Sequence, residues 1–269
     1  MSRLRIPRKQ QGFTLIELML STAIFTLLSG AIFALLVPSQ MRFQTESQLV
    51  SAFEEARLGL DQIVRDVNVA GYPPISNFSL LLSANQYAIT PVAWNPGYPA
   101  TPGCLIGSAG GGTCVTPGDF DLIVEGDVDG LGVKWIRYQL VGTTLKRGVA
   151  QKAGPDPVAA TNAAGMLPYV QNVMNNAGDA QIAQIKAIPA YSGMFPGGNP
   201  VPIFQYTCDA ATAGAAPAPC TNAGANNSPQ SIRDVSITLI VMTPRPDAQT
   251  GLLRLVELNG RAHRINPLQ

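Results

Sequence analysis

The sequence predicts an α+β fold: one long N-terminal α-helix, packed over its second half on an antiparallel β-sheet domain with long loops. Three observations predict it. An apolar run extends from Phe13 to Val37 with a single ionisable side chain. A helical pattern then continues from Ser39 to about Val69, with Leu49, Phe53, Ala56, Leu60, Ile63 and Val67 at alternating four- and three-residue steps. Beyond Gly71 the apolar period shortens to two and turn residues punctuate the chain, as where Val235, Ile237, Leu239 and Val241 alternate with Ser236, Thr238 and Ile240.

The apolar run is long enough for a membrane. About 25 helical residues at roughly 1.5 Å rise cover the roughly 30 Å hydrocarbon core of a bilayer. The one ionisable group in it is Glu17, and a charge at that depth costs about 3 kcal/mol on insertion scales, so it reads as functional. The alternative is a carboxylate near the helix end that snorkels to the headgroups. Ahead of the run, Met1 to Gly12 carries Arg3, Arg5, Arg8 and Lys9 and no acid. By the positive-inside rule these cations keep the N-terminus cytoplasmic and send everything after Val37 across the membrane. A secretory signal peptide has a shorter apolar region and a small-residue cleavage site, and Pro38-Ser39-Gln40 offers no good site.

In the second half of the helix, Glu46, Glu54, Glu55, Arg57, Asp61, Arg65 and Asp66 occupy the positions off the apolar stripe and are expected to be mostly solvated. The stripe is too short for a coiled-coil seam and is expected to pack on its own domain. Counted from Phe13, the whole helix is about 57 residues, or roughly 85 Å. Gly71 followed by Tyr72-Pro73-Pro74 stops it, because glycine suits a left-handed cap and proline cannot continue the helix. Strands are expected at Asp119–Glu125 and Val133–Val141, the latter turning at Gly142-Thr143-Thr144 into Leu145–Val149. Ile203–Thr207 is a further strand, Val235–Val241 a central one, and Leu252–Leu258 its hairpin partner across the Pro244–Gly251 loop. Pro91–Gly118, Ala150–Pro202 and Asp209–Pro229, rich in Ala, Gly, Pro and Asn, resist assignment, apart from one short helix expected within Met166–Lys186.

Composition excludes several functions. At 269 residues, 46% hydrophobic and 13% charged, the chain suits one membrane helix and a single sizeable globular domain. Its 18 basic and 17 acidic residues give a formal charge of +1, and without the four leader cations the balance is −3. That gives no electrostatic case for nucleic-acid binding. One histidine, His263, argues against a His-based triad or multi-His metal site. Gly110-Gly111-Gly112-Thr113 lacks the lysine of a phosphate loop. No catalytic residue is assigned, no cofactor is expected, and the chain does not read as an enzyme. Asp127-Val128-Asp129-Gly130 resembles the start of a calcium loop, but no bidentate Glu follows at the required position, and Asp-Gly is an ordinary turn; calcium at Asp127 and Asp129 is the weaker reading.

Four cysteines, Cys104, Cys114, Cys208 and Cys220, lie beyond the span, on the side expected to be oxidising. Their spacing does not suit zinc. Of three possible connectivities, the local pairs Cys104–Cys114 and Cys208–Cys220 are preferred because short loops close cheaply.

At Gly12-Phe13-Thr14-Leu15-Ile16-Glu17 the sequence resembles the prepilin processing motif of type IV pilins and type II secretion pseudopilins. The resemblance implies cleavage after Gly12 by a prepilin peptidase, N-methylation of Phe13, and a role in assembly for Glu17, which would neutralise the Phe13 amine of a neighbouring subunit. It also implies a pilin-like fold, an inner-membrane protein with its N-terminus cytoplasmic and its C-terminal domain periplasmic, and later incorporation into a pilus. The divisions expected on this basis are a leader at 1–12, a filament-core helix at 13–37, an amphipathic half at 38–70 and a periplasmic β-rich domain at 71–269. The family often has a helix-kinking proline at the place of Ala34; here Pro38 comes four residues later. Leu60 to Tyr72, Trp135 to Arg147, Phe204-Gln205-Tyr206 and Arg233 to Leu239 resemble PilW-type minor pilins. That resemblance implies a structural subunit in the initiation or tip of a type IV pilus, with other minor pilins, the major pilin and the inner-membrane assembly machinery as partners. The alternatives are a J-type minor pseudopilin of type II secretion and a ligand-binding minor pilin acting in adhesion or DNA uptake.

Overall fold

The computed structural model describes residues 12–77, 83, 85–98, 104–107, 112–247 and 250–265, so the basic leader ahead of Gly12 lies outside the described residues. The chain divides into two compact units: residues up to Ser47 with Pro246–Leu252, and Gln48–Arg245 with Leu253 onward. Helix α1 (Leu15–Val69) contributes its first part to one unit and the rest to the other, running through Pro38 without a break.

In the first unit, α1 exposes its large apolar side chains, between 44% at Val37 and 78% at Leu15 across residues 15–37. The stretch is long and apolar enough to cross a membrane. Three of its hydroxyls are satisfied by the helix itself, Ser21 and Thr22 donating to the Leu18 carbonyl and Thr26 to that of Thr22. That arrangement leaves these polar groups partnered where water is absent.

In the second unit the helical stripe is the core. Ala56, Leu60, Ile63, Val67 and Ala70 are buried, and Phe53 is packed beside them. Gly71 ends the helix with a positive φ of 82° and donates its N–H to the Glu125 carbonyl at 2.7 Å, so the helix stop is also a sheet contact. Off the stripe, Glu54, Glu55, Arg57, Asp61 and Arg65 are exposed, but Asp66 is buried at 2%. This corrects the expectation that Asp66 is solvated: its Oδ2 accepts from Tyr138 at 2.5 Å and Arg147 at 2.9 Å, and its Oδ1 from Gln62 at 2.6 Å.

The strands form two antiparallel sheets. The first is ordered β1 (Val92–Ala93), β2 (Asp121–Gly126), β3 (Lys134–Val141), β4 (Thr144–Gln151) and β5 (Leu167–Val170). The β3–β4 hairpin pairs Val141 with Thr144 across a two-residue loop. Gly142 opens that loop at a φ of 60°, the position where a II′ turn needs glycine. The second sheet is ordered β7 (Ala218–Pro219), β6 (Phe204–Cys208), β8 (Ile232–Met242) and β9 (Leu255–His263). Alternation puts Leu122, Val124, Ile136, Tyr138 and Leu140 of the first sheet, and Val235, Ile237, Leu239 and Val241 of the second, into one core with α1.

The β8–β9 hairpin forms as its alternation predicts, with β9 beginning at Leu255, later than expected. The stretch from 150 to 202 holds more structure than one short helix: α2 (Pro157–Ala164), the edge strand β5 and α3 (Asp179–Lys186). Helix α2 is capped by Asp156, whose carboxylate accepts the N–H groups of Val158 and Ala159. Ala160 and Val158 cover a second apolar cluster of Trp94, Tyr98, Ile123 and Trp135 on the outer face of the first sheet. Within that cluster Glu125, fully buried, accepts from Ile89 N at 2.6 Å, Lys152 Nζ at 2.7 Å, Trp135 Nε1 at 3.0 Å and the Tyr98 hydroxyl. Burial first, and then the Glu125 charge, push the Tyr98 phenol up, so it stays a donor.

Candidate functional site

The sequence-predicted processing and assembly residues fall together at the start of α1. Among the described residues no heavy atom other than those of its chain neighbours comes within 4 Å of where a β-carbon on Gly12 would stand, and Phe13 is 83% exposed. The peptide bond between them and the Phe13 ring are therefore open to approach. The helix proper starts after Thr14, whose carbonyl accepts the Leu18 N–H at 3.2 Å.

Thr14 and Glu17 form a reciprocal pair. The Thr14 hydroxyl accepts the Glu17 N–H at 3.3 Å, while Glu17 Oε2 accepts the Thr14 N–H at 3.0 Å and the Thr14 hydroxyl at 2.8 Å. This is a capping box: a Ser or Thr at the N-cap and a Glu three residues on each satisfy an N–H that the helix itself leaves unpaired. The carboxylate also sits at the positive end of the helix dipole. Reading Glu17 only as an anomalous charge misses Thr14. The Thr-x-x-Glu spacing ahead of an apolar run is the signal that identifies it.

The arrangement leaves one chemical need unmet. Two neutral donors hold the carboxylate in place, yet neither carries the positive charge that an ionised group in hydrocarbon requires. Phe13, next to the cap, would carry a free amine once the peptide bond to Gly12 is cut.

A family model described as the prokaryotic N-terminal methylation motif matches residues 7–33. The chain is pilin-like at its N-terminus. No curated protein and no solved structure matches the chain. The motif spans the start of α1 and does not extend to the β-rich unit.

The remaining candidates belong to that β-rich unit. Cys104 is joined to Cys114 and Cys208 to Cys220, with Cα separations of 5.0 and 4.9 Å. Asp127 and Asp129 form a turn: Asp127 Oδ1 accepts the Gly130 N–H at 2.7 Å, and Asp129 accepts the Leu131 N–H at 3.2 Å and pairs with Lys134. The Lys134 hydrogen bond holds the Asp129 carboxyl below its usual range. Among the described residues no group of three or more His, Cys, Asp or Glu is placed to hold a metal. His263, half-exposed, meets Asp234 Oδ1 through Nδ1 at 2.6 Å.

Proposed function

We propose that this chain is a minor pilin of PilW type, a structural subunit that takes part in initiating or capping a type IV pilus. A prepilin peptidase removes the leader after Gly12 and methylates Phe13, and α1 holds the subunit in the inner membrane with the β-rich domain in the periplasm. It then leaves the membrane by joining other minor pilins and the major pilin. The observation that carries this reading is the union of a methylation motif at 7–33 with an α1 whose apolar first part is exposed along its length. Such a surface is stable only in lipid or among other apolar helices.

Glu17 supplies the docking charge. In an isolated subunit it caps its own helix through Thr14; among apolar helices it takes the methylated Phe13 amine of a neighbour as counter-charge. Glu17→Gln keeps the size and removes the charge, so leader cleavage and domain folding persist while co-purification with the other minor pilins weakens. Glu17→Lys sets cation against cation and is more severe. Mass spectrometry of the N-terminal peptide tests processing; pulldown of the variants with a pilus count tests docking. An intact leader in peptidase-competent cells, or unchanged assembly with lysine at this position, would overturn the respective step. Co-purification with secretion pseudopilins in place of pilus subunits would move the protein to the type II secretion branch.

A further inference from the structure

The outer face of the second sheet is polar, and its polar groups fall into two sets. Toward β9 they satisfy one another: Thr238 Oγ1 donates to Asn259 Oδ1 at 2.8 Å, and Asp234 takes Arg261 at 2.9 Å and His263 at 2.6 Å. Toward β6 they do not. Register sets Gln205 opposite Ser236 and Thr207 opposite Asp234 on this same face. Among the described residues, the side chains of Gln205, Thr207 and Ser236 have no hydrogen-bond partner, and together they line a cleft of about 800 Å³.

Described residues at the two disulfides, Ile106, Gly107 and Cys114 with Cys220 and Thr221, line the opposite wall. The first loop is also joined to the segment that follows Cys220. Ile106 donates its N–H to the Asn227 carbonyl at 2.8 Å, and Gly107, at a φ of 73°, lies so close to Thr221 that any β-carbon would overlap it. Two covalent links and this contact tie these described residues together, which lowers the ordering cost of binding at them.

The lining also selects a chemistry. Among the described residues that line it there is no Lys, Arg or His, so an anion finds no counter-charge there. Asp119 is the one carboxylate among its described lining residues, and partial burial pushes its pKa up. The half-buried ring of Phe120 adds an apolar face. A peptide added as a strand needs free backbone groups, but here the β6 edge is occupied: the Asp119 carbonyl accepts the N–H groups of Ile203 and Phe204 at 2.9 and 3.0 Å, and Cys220 N–H donates to the Tyr206 carbonyl at 2.9 Å. What remains is an amide, three hydroxyls with Thr221, a carboxylate and an aromatic face, in a cleft of ordinary small-ligand size.

We propose that the cleft between the disulfide loops binds a neutral saccharide, whose hydroxyls bond Gln205, Thr207, Ser236 and Asp119 while its C–H face lies on Phe120. The site stands whether or not the chain enters a pilus. The test uses the full-length chain purified in a zwitterionic detergent free of sugar headgroups, with saturation-transfer NMR against lactose, chitobiose, maltose and cellobiose. Glucose 6-phosphate and the peptide Gly-Ser-Gly-Ser serve as comparators. The expected result is saturable transfer to at least one neutral disaccharide, weakened tenfold or more by Gln205→Ala with Ser236→Ala and unchanged by Asn259→Ala on the same sheet face. Gln205→Leu alone, at an exposed position, replaces the double variant if that variant fails to fold. No saturable signal from the four disaccharides, a stronger signal from the phosphate or the peptide, or binding that survives loss of Gln205 would each overturn the proposal.

Discussion

Replacing Asp66 by leucine should weaken the attachment of α1 to the first sheet more than any exposed substitution on the same helix. The carboxylate is 2% exposed and accepts three hydrogen bonds, from Tyr138, Arg147 and Gln62. Leucine fills similar space but accepts none. The Tyr138 hydroxyl, on a fully buried ring, then loses its acceptor, and the Arg147 guanidinium, 24% exposed, loses its counter-charge while keeping its 3.0 Å bond to the Tyr138 oxygen. Breaking a buried charge pair by removing one partner costs about 3–5 kcal/mol, and the partial exposure of Arg147 places this case at the lower end, about 3 kcal/mol. For a domain of this size that lowers Tm by roughly 6–12 °C. The assay is thermal unfolding of the processed protein in micelles, followed by near-ultraviolet circular dichroism without reductant. Adding Tyr138→Phe and Arg147→Met removes the stranded groups as well and should restore most of the loss. A Tm within about 2 °C of the parent for Asp66→Leu, or no recovery in the triple variant, would refute the argument.

Gly59→Val should destabilise by about 2 kcal/mol, because a β-carbon at Gly59 overlaps Val170 of β5, whereas Gly193→Ala, with open space around it, should change the urea midpoint little. Asp234 gives a pH dependence. Burial works to raise its pKa, but the bonds from His263 and Arg261 prevail and hold it below the usual carboxylate range. Its contribution is therefore complete above the unfolded value near about 4 and is lost as pH falls through the folded one. Asp234→Asn should flatten the acid limb of a stability–pH curve while leaving other carboxylates to titrate; an unchanged acid limb would count against the cluster. Replacing Cys208 and Cys220 by serine removes a link whose ends are both buried, and should cost about 3 kcal/mol in an unfolding titration, with non-reducing peptide mapping of the parent showing the Cys208–Cys220 peptide.

Features with local causes could be read from the sequence. The α1 stripe follows from 3.6-residue periodicity, the stop at Gly71 from a glycine that takes a positive φ ahead of two prolines, and the β8–β9 hairpin from the alternation along 235–239 followed by a proline–glycine loop. The methylation motif is likewise local, lying wholly within residues 7–33. So is the Thr14–Glu17 cap, although a charge in an apolar run draws the eye to Glu17 alone. Only the tertiary structure decided the partners of charged residues. Asp66 reads as a solvated helix position until Tyr138 and Arg147 arrive from strands 72 and 81 residues away, and Glu125 has no evident partner until Lys152, Tyr98 and Trp135 close around it. The same holds for β5, whose Leu167 is exposed and whose strand exists because it pairs with the edge of β4. It holds for the contact of the first disulfide loop with the residue after Cys220, where Gly107 meets Thr221. A periodic pattern reports which face of an element is buried, because neighbours in sequence share that face. The identity of the group that meets it depends on how distant segments pack, and nothing in the local sequence encodes that.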